Sequence, residues 1–170
     1  MRAVVSLVPE FPHFNACYDD ESGVLRSYDG VHIGIATQSD SGLVVPVVRH
    51  SETLDLWGCA RELARVTSAA REGTARREEL SGSTITLTSL GALGGISATP
   101  VINHPEVAII GPNKLVERPV VLNGQIAIRT LMNVSCAFDH RIIDGHDAAR
   151  FVQRLRRLIE APAHLFLDRP

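Results

Sequence analysis

Apolar and polar positions change period several times along this chain, and each change predicts an element. Residues 2–8 read as the tail of a helix broken at Pro9. Residues 15–18, 24–28 and 32–36 are short and β-rich, with turn signals at 19–23 and at Asp29-Gly30, and predict three strands. The apolar run 42–48 contains Pro46, which cannot donate to a ladder, so it predicts an edge or irregular strand. From about Asp55 to Arg71 the period is helical: Leu56, Ala60, Leu63, Ala64, Thr67 and Ala70 form one stripe. Residues 84–88 alternate as a strand and lead into Gly91-Ala92-Leu93-Gly94-Gly95, and 107–110 predict a short buried strand. Residues 115–122 and 125–137 predict a hairpin across Asn123-Gly124, with Ile126, Ile128, Met132, Val134 and Cys136 on one face of the long second arm. The last helix is predicted over about 145–160, with Ala148, Phe151, Val152, Leu155, Leu158 and Ile159 on its apolar stripe and Pro162 as its stop. Strands and helices mix without regular βαβ alternation, which predicts an α+β fold with helices on a mixed sheet.

Composition narrows the function classes. The chain has 170 residues and a formal charge of −2, a balance that argues against nucleic-acid or polybasic membrane-surface binding. At 45% hydrophobic residues it can bury a core unaided, and with only 5% aromatic residues that core must rest on Val, Leu, Ile and Ala. No apolar run approaches the ~20 residues of a membrane span, and the opening apolar stretch is too short for a signal-peptide core. Cys17, Cys59 and Cys136 are far apart and form no C-x-x-C pair, so they read as reduced thiols of a cytoplasmic protein.

Two segments carry candidate chemistry. Asp139-His140-Arg141-Ile142-Ile143-Asp144-Gly145 joins a strand to an amphipathic helix, where a loop can present a histidine. An imidazole of ordinary pKa, ~6.5, is a competent base at neutral pH. Asp144 precedes the helix, so its carboxylate can cap the N-terminus or fix an arginine, and Gly145 is expected to permit a turn that a side chain forbids. A structural histidine in a tight turn, with Asp144 as a plain cap, explains the same residues. In the second segment, 84–91, a strand ends in hydroxyls and runs into glycines; a hydroxyl there can donate to a developing oxyanion. A Thr-rich strand with a flexible turn is the competing reading, and the absence of G-x-S-x-G gives no support to a nucleophile elbow. The spacing of His140, Asp144 and His146 matches no common metal motif, so no metal is expected. Asn133-Val134-Ser135 has the form of a glycosylation acceptor, which carries no weight in a cytosolic strand.

Taken together the segments resemble a known family. Residues 139–145 resemble the H-x-x-x-D-G signature of the chloramphenicol acetyltransferase-like superfamily, in the form found in acyltransferase components of 2-oxoacid dehydrogenase complexes. Residues 84–95 with 99–109 resemble that family's second signature block, 32–37 with 42–47 a third, and Phe11-Pro12-His13-Phe14-Asn15-Ala16 a fourth. The wording of 85–96 and 113–119 is most similar to the branched-chain members.

The resemblance implies transfer of an acyl group, as a thioester, between dihydrolipoamide and coenzyme A. The lipoamide would be carried on a separate domain. It implies a mixed sheet flanked by helices, a homotrimer, and a larger cubic or dodecahedral core that works with dehydrogenase and dihydrolipoamide dehydrogenase components in the bacterial cytoplasm. His140 would be the general base. Thr88 would stand where the family usually has an oxyanion-stabilising Ser, and the two would come from different subunits. Ser89, Gly91 and Gly145 are candidate cofactor-binding positions. The family's domain is expected to begin upstream of Met1, so residues 1–170 would be the catalytic domain without its N-terminal part. The arginine that would pair with Asp144 lies in that part; Asp144 is instead expected to pair with a basic residue such as Arg141 or to cap the last helix. Leu165-Phe166-Leu167 would dock on a neighbouring copy or pack on the chain's own last helix. Two readings compete: a catalytically impaired assembly module of the same fold, and a stand-alone coenzyme A-dependent acetyltransferase acting on a small alcohol.

Overall fold

The computed structural model describes residues 1–91 and 94–167, the last by its backbone alone; Ala92 and Leu93 of the predicted glycine loop lie outside the described residues. Its helices are α1 (Arg2–Val5), α2 (Leu56–Arg71), α3 (Gly145–Glu160) and α4 (His164–Leu167). Its strands are β1 (Ala16–Asp19), β2 (Val24–Ser27), β3 (Ile33–Ser39), β4 (Gly42–Val44), β5 (Val47–Val48), β6 (Ile85–Thr88), β7 (Ala108–Pro112), β8 (Val116–Leu122), β9 (Gln125–Leu131) and β10 (Val134–Phe138). The main sheet runs β10-β7-β6-β3-β4, with β5 also on β3. Within it β3, β6 and β7 are parallel, whereas β4, β5 and β10 are antiparallel to their neighbours. This is the mixed α+β architecture that the patterning predicts. The pairs β1–β2 and β8–β9 form separate hairpins.

Pro46 acts as expected: it divides the apolar run into β4 and β5. Gly34 in β3 is required by contact, since an added Cβ would lie 2.7 Å from Thr86 Oγ1 and 2.8 Å from Val45 Cγ1. Asn123 and Gly124 adopt φ 50° and 79°, the left-handed pair that a two-residue hairpin turn needs. The core closes where Phe11 and Phe14 meet Phe138 and Phe151, with the Phe14 and Phe151 rings stacked at 4.6 Å. Helix α3 contributes Phe151, Leu155 and Leu158 to it, each worth about 1.5–3 kcal/mol of burial.

Two expectations need correction. The arm 125–137 is not one strand: it breaks at Met132-Asn133, so that β9 stays with β8 while β10 enters the main sheet against β7. Ile126 and Ile128 therefore lie outside the core, 80% and 67% exposed. In α2 the inward residues are Gly58, Cys59, Val66 and Ala70, whereas Ala60, Leu63 and Ala64 face outward. The alanine-rich stripe was a poor guide because alanine gives little preference for either face. In α4, Leu165 packs on the core and Phe166 is 53% exposed.

Candidate active site

Strand register decides which candidate residues share an end of the sheet. Thr86 lies opposite Ile109, Gly111 opposite Ser135 and Ala108 opposite Phe138. Thr88 thus ends β6 beside Gly111, whereas His140 follows Phe138 past the opposite end. At ~3.3 Å per residue the two are roughly 16 Å apart along the strands. One reacting carbonyl cannot touch both within a single chain.

The His140 end is tied down by its neighbours. The Asp139 N–H donates to Val107 O at 2.9 Å, and the Ile142 and Ile143 N–H groups return to Asp139 O at 3.0 and 2.9 Å. Ile143 is fully buried and roots the turn in the core. His140 itself is exposed, and its ring makes no hydrogen bond among the described residues. Asp144 caps α3, its Oδ1 accepting from the Asp147 N–H at 2.9 Å. That bond holds its carboxyl below the usual range, with the His146 N–H and the nearby His146 and His140 rings adding to the effect. Of the two expectations for Asp144 the cap is the one observed. Arg141 turns away to Asp139 and Asp20. Gly145 is also corrected: it begins α3 without a positive φ, and an added Cβ would meet nothing within 4 Å.

At the other end Thr88 is half-buried, and its hydroxyl has no hydrogen-bond partner among the described residues. It borders a small hollow of about 30 Å³ shared with Ser89, Gly91, Gly94, Gly111 and Asn113. Ser89 is exposed, and its Oγ accepts from the Gly91 N–H at 3.2 Å. Gly91 has φ 54° and open space around it. The sequence reading missed the residues that hold the following segment. Asn113 Nδ2 donates to Ser135 Oγ at 2.9 Å and to Asn133 O at 3.1 Å; Asn133 Nδ2 donates to Ile96 O at 2.7 Å; Ser135 Oγ accepts from the Ala98 N–H at 3.1 Å. The two ends of the glycosylation-like triplet thus serve as a brace. Polar residues at strand ends were the signal available.

A buried acid stands behind the His140 end. Glu106 Oε1 accepts from Ser83, from Thr86 Oγ1 at 2.9 Å and from Asn103 Nδ2 at 2.9 Å, while Oε2 is buried without a partner. Burial raises its carboxyl above the usual range. It lines, with Tyr18, Asp20, Asn103 and His104, a cleft of about 1100 Å³. Burial also raises the Cys17 and Cys59 thiols and pushes Cys136 up to about 11, so none of the three is poised as a thiolate. Among the described residues no three His, Cys, Asp or Glu side chains gather to hold a metal, and no helix is long and apolar enough to cross a membrane.

Within one chain the candidate histidine and the candidate hydroxyl lie at opposite ends of the sheet. Comparisons with known proteins bear on what those two residues serve. The family described as 2-oxoacid dehydrogenases acyltransferase (catalytic domain) matches residues 1–167. The lipoamide acyltransferase component of the branched-chain alpha-keto acid dehydrogenase complex of Pseudomonas aeruginosa is 61% identical over 99% of the chain. The chain spans only 39% of that relative's length. The dihydrolipoamide acetyltransferase of Azotobacter vinelandii superposes with a TM-score of 0.90 at 34% identity, over 96% of this chain and 68% of that one. That structure was determined to examine the roles of one serine, one histidine and one asparagine in its catalytic mechanism. The cubic core of a pyruvate dehydrogenase multienzyme complex matches with a TM-score of 0.90 at 35% identity, over 96% and 68% of the two chains. Chloramphenicol acetyltransferase shares the fold, with a TM-score of 0.56 at 19% identity, over 91% and 72%.

Proposed function

This chain belongs to the family of 2-oxoacid dehydrogenase acyltransferase catalytic domains, and from that premise we propose that it moves an acyl group between dihydrolipoamide and coenzyme A. In this reading residues 1–170 are catalytic domain throughout. The attacking thiol is deprotonated by His140, because a free thiol of pKa ~8.5 is mostly protonated at neutral pH. The thiolate adds to the thioester carbonyl, and the Thr88 hydroxyl donates to the oxyanion that forms. Collapse expels the other thiol, which recovers the proton from His140. Asp144 orients the turn and does not touch substrate.

The observation that carries this assignment is a match of spacings. The serine, histidine and asparagine of the Azotobacter enzyme are separated by the same numbers of residues as Thr88, His140 and Asp144. Threonine keeps the serine hydroxyl, and aspartate keeps the oxygen that a helix cap requires. The separation of His140 from Thr88 within one chain supports a site shared between copies, as in a trimer. Exposed Val121, Ile126 and Ile128 on the β8–β9 hairpin offer apolar surface for such contacts. We extend the reading to a cubic or dodecahedral core working with dehydrogenase and dihydrolipoamide dehydrogenase components in the bacterial cytoplasm, and to branched acyl groups. The test is a thioester-exchange assay with dihydrolipoamide and acetyl-, succinyl- or isobutyryl-coenzyme A. Isobutyryl transfer should be fastest. A folded, oligomeric protein that exchanges none of the three would overturn the proposal.

A further inference from the structure

We infer that Asp20, at the tip of the β1–β2 hairpin, is a positioning residue for His140: it holds Arg141, and Arg141 holds the turn that presents the histidine. The inference rests on His140 being the base. Arg141 is the next residue after His140, and its side chain has little freedom. Its Nε lies 2.9 Å from Asp139 Oδ1 and its Nη2 2.6 Å from Asp139 Oδ2, while its backbone N–H also donates to Asp139 Oδ1 at 3.0 Å. The remaining arm, Nη1, donates to Asp20 Oδ1. The guanidinium lies over the Tyr18 ring, with Cζ 4.5 Å from the centroid. The second oxygen of Asp20 lies 3.0 Å from His104 Nε2. The hairpin is in turn fastened to that loop, the Tyr18 N–H donating to Pro105 O at 2.8 Å. The hairpin and the turn, far apart in sequence, therefore meet on one guanidinium, and the loop at 104–105 braces the hairpin from behind.

Stability does not explain this convergence. Asp20 and Arg141 are 45% and 56% exposed, and ion pairs of that kind contribute little to folding. Direction is what they supply. A planar fork with partners on two sides and an aromatic ring beneath it has one orientation. Without Asp20, Arg141 keeps Asp139, two residues away on the same turn, and its stacking on Tyr18, so the turn loses its one hydrogen-bonded ion pair to the hairpin among the described residues. An error of about 1 Å in a reacting group can cost ~10²-fold in rate. Asp139 and Asp20 both have carboxyls held below the usual range, chiefly by their hydrogen bonds to Arg141, so the latch stays closed at neutral pH.

The test is the exchange assay on the full chain carrying Asp20→Ala, Asp20→Glu, Arg141→Ala or the double change Asp20→Ala/Arg141→Ala, with His140→Ala beside them. Asp20→Ala should lower kcat about 10-fold while KM for either thiol moves less than about 2-fold and the thermal midpoint is unchanged. Asp20→Glu should recover most of the loss. In the Arg141→Ala background Asp20→Ala should have no further effect, because the two act as one unit. A wild-type kcat in Asp20→Ala, a loss confined to KM, or an undiminished loss in the Arg141→Ala background would overturn the latch. Loss of activity in His140→Ala beside normal turnover in Asp20→Ala removes the latch alone. Normal turnover in His140→Ala removes the base assignment and the latch with it.

Discussion

The two ends of the main sheet are built differently. At the His140 end, the turn after β10 is fixed by backbone bonds from Asp139 to Val107 and from Ile142 and Ile143 back to Asp139, with Ile143 sunk in the core and Asp144 capping α3. At the Thr88 end, β6 runs into an exposed segment held, among the described residues, by bonds from Gly91 to Ser89, from Gly94 back to Gly91 and from Lys114 to Gly95, and by a brace from Asn113, Asn133 and Ser135 to residues 96 and 98. For the proposed base, which must meet a proton along one line, a rigid turn is an advantage. For the proposed hydroxyl donor, which rotates about one bond and must be approached by a substrate, open surroundings with glycines are an advantage. Within one chain the two ends lie roughly 16 Å apart, so the proposed site, which needs both, would draw its second half from another copy.

The largest effect should come from the rigid end. His140→Ala should lower acyl exchange ~10²–10⁴-fold, the usual worth of a general base, without changing the unfolding midpoint. Exchange within a few-fold of wild type would remove His140 from the chemistry. Next comes the open end. Thr88→Ala should cost about 2.7–4 kcal/mol of transition-state stabilisation, read as kcat, whereas Thr88→Ser should retain most activity. If Ser89→Ala is damaging and Thr88→Ala silent, the oxyanion donor has been placed on the wrong hydroxyl.

The smallest effect concerns the buried acid behind His140. Burial raises the Glu106 carboxyl above its ordinary 4.5. The unfolded chain therefore gives up that proton first, and folding loses stability as pH rises from about 4.5 through the folded-state value. Glu106→Gln keeps an oxygen to accept the three bonds from Ser83, Thr86 and Asn103 and removes the charge. Its stability relative to wild type, from urea unfolding, should increase between about pH 4 and pH 8. A difference independent of pH would show that Glu106 folds without an electrostatic cost.

The contrast between the ends also explains what could be read from the sequence. Helix α3 and its cap were legible because Asp144 precedes a strong 3.6-residue pattern, and the hairpin turn was legible because Asn123-Gly124 alone satisfies two left-handed positions. Both signals are local. The partner of Arg141 was not legible: Asp20 lies 121 residues away, and only tertiary packing brings it near. The break at Met132-Asn133 was hidden because apolar alternation continues through it, although the chain there changes from the β8–β9 hairpin to the main sheet. The face of α2 was misread for want of contrast among alanines. The candidate pair His140 and Thr88 came from the family resemblance, and its division between the ends of the sheet became visible only with the strand register.

The most direct test of the shared site is complementation. His140→Ala and Thr88→Ala chains, each inactive alone, are unfolded together at equal concentration, refolded and assayed for acyl exchange. If each site takes the histidine from one copy and the hydroxyl from its neighbour, random co-assembly regenerates a site intact on both sides at about a quarter of the interfaces, and exchange should recover to about a quarter of wild type. If mixed assemblies form, as tagged co-purification would establish, and exchange remains at the level of the separate variants, the site is not shared between copies and the account is wrong.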